Sequence, residues 1–146
     1  MNKRTLLPVS ALTLGPLAQT LVTQALAADL GSLGIVNLKS VEADFNVSRN
    51  SALLANLSVD GIGAGYKYFL DRNHAGFNLA ARGTLGLNNN ASTIFGGTLG
   101  YRFIIPTANS GIKGIELEAE GGPALFNVAG SSSVGTTIGL RAGIRF

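Results

Sequence analysis

The chain has 146 residues, is 46% hydrophobic and only 13% charged, and carries 20 glycines, 4 prolines and no cysteine. That length suits one domain. The missing cysteine excludes a disulfide scaffold, a thiol nucleophile and a thiolate metal site, and the charge is well short of the about 25% usual in soluble domains. The formal charge of +3 includes Lys3 and Arg4 near the start. Without them the positive and negative residues nearly balance, no basic cluster remains, and a nucleic-acid partner is not expected.

Residues 1–27 read as a secretory signal peptide. Lys3 and Arg4 are its basic region, and Leu6 to Leu21 its apolar stretch, broken by Pro8, Gly15 and Pro16. Ala25-Leu26-Ala27 has the small-x-small pattern of a cleavage site, so the junction involves Ala25, Ala27 and Ala28. The exported domain is then 28–146. It contains no run of the roughly 20 apolar residues a membrane helix needs.

Its apolar residues instead recur at every second position, the period of a strand. The pattern predicts strands at about 30–38, 41–47, 51–59, 62–70, 76–88, 92–105, 112–122 and 133–146, with boundaries uncertain by about two to four residues. Fusing 35–47 and 52–70 would give six. Turn chemistry separates the runs at Lys39-Ser40, Ser48 to Asn50, Asp60-Gly61, Asp71 to His74, Asn88 to Asn90, Pro106 to Gly111 and Gly130 to Ser133. Pro123 cannot donate to a ladder, so the seventh strand is ended before it. The stretch from Pro123 to Ser132 becomes the one long loop.

The two faces differ in kind. In the last run Val134, Thr136, Ile138, Leu140, Ala142, Ile144 and Phe146 share one side, and Gly135, Thr137, Gly139, Arg141, Gly143 and Arg145 the other. The expected architecture is an all-β, antiparallel up-and-down transmembrane β-barrel, whose strands alternate apolar-out and polar-in. Arg82, Arg102, Glu116, Glu118, Glu120, Arg141 and Arg145 would form a charge network in a narrow lumen, pairing because unpaired buried charge is costly. Tyr66, Tyr68, Phe77, Tyr101 and Phe103 gather near one end as an interfacial aromatic girdle would.

The ending Thr136 to Phe146, alternating and closed by a terminal aromatic, resembles the C-terminal strand of small eight-stranded bacterial outer-membrane barrels. The resemblance implies that Ile138, Leu140, Ile144 and Phe146 are read by the barrel-assembly machinery. It further implies periplasmic chaperones during biogenesis, and outer-membrane lipids as the lasting partner. A weaker resemblance, through Gly61-Ile62-Gly63-Ala64-Gly65-Tyr66 and the run Gly76 to Leu87, is to the YfaZ-like outer-membrane proteins, and implies little about activity.

No catalytic residue, cofactor or metal ligand is expected. His74, the only histidine, lies in a turn without a serine and reads as solvated rather than as a general base. Gly61-x-Gly63-x-Gly65 leads into a strand, so no helix N-terminus is present to hold phosphate. Three functions compete: a structural outer-membrane barrel, a small passive channel lined by the glutamate row, alone or as an oligomer, and a soluble periplasmic β-sandwich that binds a partner.

Overall fold

A computed structural model describes residues 29–87, 92–108 and 111–146. The expected leader, residues 1–27, with the expected cleavage positions Ala25, Ala27 and Ala28, and the connection 88–91 lie outside the described residues. Eight strands follow in order: β1 (Asp29–Val36), β2 (Ser40–Asn46), β3 (Ser51–Ser58), β4 (Gly61–Phe69), β5 (Gly76–Gly86), β6 (Ser92–Pro106), β7 (Gly114–Val128) and β8 (Ser131–Arg145). Each pairs antiparallel with the next, and β1 pairs with β8, from Ser32↔Arg145 to Val36↔Arg141. The chain is a closed eight-stranded barrel. Closure rules out the open two-sheet sandwich and the six-strand count.

Both described termini lie at one end, called the base. The 47–50 and 70–75 connections and the described residues 107–108 and 111–113 are also there, and Phe146 N–H donates to the Gly31 carbonyl at 3.0 Å. The opposite end is the rim. Alternation sorts the side chains as the period of two requires: Leu33, Ile62, Leu79, Leu99, Leu117 and Leu140 are exposed on the outer wall, whereas Glu42, Lys67, Asn78, Arg102 and Glu118 are buried.

Three turns differ from expectation. The β1–β2 reversal centres on Asn37-Leu38, not Lys39-Ser40: Lys39 N–H donates to the Val36 carbonyl at 3.0 Å, and both central residues have positive φ, 49° and 58°. That is the type I′ hairpin geometry, which matches strand twist and which asparagine tolerates better than leucine. Between β3 and β4 the central pair is Val59-Asp60, because Leu57 faces Ile62 and Ser58 closes on Gly61 through its hydroxyl.

The third difference is the largest. Pro123 does not end β7, and 123–132 is not a loop. β7 continues to Val128 and pairs with β8 without a break, down to Val128↔Ser131. The reversal is the tight pair Ala129-Gly130, with φ of 49° and 81°. Proline is accommodated on the other flank. The β6–β7 ladder runs to Leu99↔Gly121 and resumes at Gly96↔Ala124 in the same register, leaving Gly97 and Thr98 unpaired opposite Pro123 and Gly122. Here the backbones come very close: a Cβ on Gly122 would sit 2.0 Å from the Gly97 carbonyl oxygen, so only glycine fits.

Candidate functional site: an ion-paired barrel interior

Nine ionisable side chains from six strands meet in the bore. β2 supplies Glu42 and Asp44, β4 Lys67, β5 Arg82, β6 Arg102, β7 Glu116, Glu118 and Glu120, and β8 Arg141. Each comes from the inward set of its strand, and glycines on the same faces make room. A Cβ on Gly34 would lie 2.7 Å from Arg141 Nε, and one on Gly139 2.9 Å from Glu120 Oε1.

The tier toward the base is knitted by Arg102. Its Nε and Nη2 donate to Glu118 Oε2 at 2.8 and 2.6 Å, and Nη2 donates to Asp44 Oδ2 at 2.5 Å. Arg141 pairs with Glu116, stands 3.5 Å from Asp44, and donates to Ser32 Oγ at 2.8 Å. At the centre Lys67 Nζ donates to Glu118 Oε1 at 2.7 Å and lies 3.8 Å from Glu42. Toward the rim Arg82 bridges Glu42 and Glu120, each at 2.8 Å. Such pairing offsets the cost of burying each ion but is no guarantee of net stabilisation. It does fix which strands are neighbours across the bore, since removing one partner strands a charge.

The base is closed by packed rings. Phe69, fully buried, has Arg102 over its face at 4.8 Å and His74 edge-on at 5.2 Å. His74 is therefore buried, not solvated as its turn suggested: its backbone φ of 53° turns the ring inward, where Nε2 lies 3.3 Å from the Ser51 carbonyl. Burial pushes the imidazole below its ordinary pKa. Contacts with the Ser51 and Ser48 carbonyls oppose the shift, and the Arg145 and Arg102 charges add to it.

Of the residues singled out from the sequence, Arg82, Arg102, Glu116, Glu118, Glu120 and Arg141 come together in this cluster. Arg145 does not join it. Two inward positions beyond Arg141, it reaches the base and donates to the Asn73 carbonyl. Tyr66, Tyr68, Phe77, Tyr101 and Phe103 are exposed on the outer wall toward the base, with Phe77 and Tyr101 stacked edge-to-face at 4.9 Å. Ile138 and Leu140 point outward and exposed, while Ile144 and Phe146 are half-covered.

Sequence reasoning missed Glu42, Asp44 and Lys67. The pattern that could have found them was present: Val41, Ala43 and Phe45 alternate with the two acids, and Tyr66 and Tyr68 bracket the lysine. Asn78 was missed too. It is fully buried, with neither amide atom hydrogen-bonded to protein. Among the described residues no cluster of three or more metal-ligating side chains has the arrangement to hold an ion. No protein-family model, curated protein or solved structure matches the chain.

Proposed function

We infer that the chain is exported through a cleaved leader and serves as a structural, non-enzymatic β-barrel of the bacterial outer membrane. One observation carries this reading: the barrel is inverted relative to a water-soluble protein. Nine charges of its strands face inward, and its outer wall is Leu, Ile, Val, Phe and Tyr on every strand, with Leu79, Leu99, Leu117 and Leu140 each about half exposed or more. A monomer in water rarely exposes an apolar patch beyond a few hundred Å². Here the patch encircles the molecule, the distribution hydrocarbon requires.

The filled bore supports a structural role over a passive pore. Lys67, Glu42 and Phe69 are wholly inaccessible, in keeping with an eight-stranded interior just wide enough for side chains. The aromatic group at the base would lie at the membrane–water interface on the periplasmic side. The outward residues of β8 would be those met by the assembly machinery.

Fractionation tests the reading. The protein is expected in the outer-membrane pellet, and cold and boiled samples are expected to migrate differently in dodecyl sulfate gels. Release by osmotic shock without detergent would refute it.

A further inference from the structure

The barrel wall is uneven at one seam. β8 begins at Ser131, but β1 ends at Val36 opposite Arg141. Beyond that point Asn37 alone continues the contact. Its N–H donates to the Leu140 carbonyl at 2.8 Å, its Oδ1 accepts from Leu140 N–H at 2.8 Å, and its Nδ2 donates to the Ile138 carbonyl at 3.1 Å. From Ser131 to Thr137, β8 has β7 on one flank and, among the described residues, no strand on the other.

Two hollows meet at this seam. Inside the rim is a cavity of about 180 Å³, bounded by Val36 and Asn37 on one side and Thr137 to Gly139 on the other, with Ile94 on its wall and Arg82 and Glu120 at its floor. Outside is an apolar groove of about 780 Å³ between Ile35, Leu38, Leu117 and Leu140. Asn37 borders both. Leu38, 93% exposed and held at positive φ, projects at the rim of the groove.

The floor has a sign. The interior holds five carboxyl side chains against four basic ones. Lys67 is closest to Glu118 and Arg102 and Arg141 face Asp44 and Glu116, so the near cation of Glu120 is Arg82 at 2.8 Å, which it shares with Glu42, with Lys67 farther off at 4.0 Å. Glu120 is the most accessible of the five acids: its side chain is 8% exposed, and Oε1, beside Gly139, takes no hydrogen bond from the described residues.

We propose that the free edge of β8 just rimward of the Asn37–Ile138 contact, at Thr137, is a lateral portal for a single-chain cationic amphiphile, its tail in the outer groove and its ammonium head against Glu120. A partly covered carboxylate with a free oxygen selects a cationic donor over a carboxylate, which would add like charge in a poorly screened site. An apolar channel alone would not discriminate. The proposal goes beyond the structural role and uses its membrane setting only to present the groove to lipid.

The test uses the full mature barrel in phosphatidylcholine nanodiscs. Dodecylammonium, dodecanoate and dodecanol are titrated while backbone amide NMR shifts are followed. The expected result is saturable shifts confined to residues near Asn37, Thr137 to Gly139 and Glu120 with dodecylammonium, at an affinity at least about tenfold above dodecanoate. Glu120→Gln should remove that preference. Thr137→Trp, which fills the mouth without touching the ion pairs, should abolish binding of all three. Equal binding of the cation and the anion, an unchanged preference in Glu120→Gln, or shifts scattered around the outer wall would overturn the portal. Failure to enter nanodiscs at all would instead refute the membrane reading.

Discussion

Lys67 Nζ donates to Glu118 Oε1 at 2.7 Å in the middle of the barrel, and neither side chain has more than a trace of accessible surface. The two residues are 51 positions apart on non-adjacent strands, so the pair reaches across the bore rather than along a ladder. It reports the closed state and no part of it.

Lys67→Met should destabilise the barrel by about 3–5 kcal/mol, because Glu118 keeps only Arg102 and Glu42 loses a neighbouring cation. The double variant Lys67→Met/Glu118→Leu should recover a substantial part of that loss. Urea unfolding in lipid vesicles measures both. A double variant as unstable as the sum of the two singles would mean that the pair has no energetic link.

Adding charge to the wall should depend on which face receives it. Leu140→Arg places a cation on the outer wall and is expected to cost about 2–4 kcal/mol if near the bilayer midplane, with a matching loss of assembled protein. Thr137→Arg points inward, at the half-covered mouth, and should assemble nearly as well as the unmodified chain. Similar yields of heat-modifiable barrel for the two variants would show that the faces are misassigned.

The base should weaken in acid through His74. Burial holds its imidazole below the ordinary 6.5, so the unfolded chain binds the proton more readily than the folded one. The stability that neutral His74 contributes is therefore complete above pH 6.5 and is lost as pH falls through the lower folded value. Melting followed between about pH 8 and pH 5 should show this slope in the unmodified protein. The slope should be shallower in His74→Gln, and parallel curves would exclude the histidine as its source.

Gly122 is where β6 and β7 press together, so Gly122→Ala should cost about 1–3 kcal/mol as an overpacking change. Gly111→Ala, whose Cβ would meet none of the described residues within 4 Å, serves as the control and should be close to neutral. A tolerated alanine at 122 would mean the ladder can part there without loss.

Much of this fold was legible because strand period and barrel register are the same fact. Once Leu140 faces out, Arg141 must face in, and the β5, β6 and β8 patterns follow. What stayed hidden depended on non-local geometry. Pro123 reads as a breaker along the chain, yet the barrel leaves two β6–β7 positions unpaired where its missing N–H costs little. His74 reads as a surface turn residue until Phe69 and Ser51 provide its burial site. The inward acids of β2 were masked by the shortness of that strand, 7 residues, where alternation gives few repeats. Arg145 continues the inward series of β8, but its place at the base puts it past the cluster.

The central claim is that the outer wall meets hydrocarbon while the adjacent inward residues do not, and the absence of native tryptophan makes this directly measurable. Leu85→Trp and Thr84→Trp put a single reporter at neighbouring positions on opposite faces of β5, and each is reconstituted into vesicles of brominated phosphatidylcholine. Strong quenching at position 85 with little at 84 is the predicted result; equal quenching at both, or protein that stays in the aqueous phase, would contradict it.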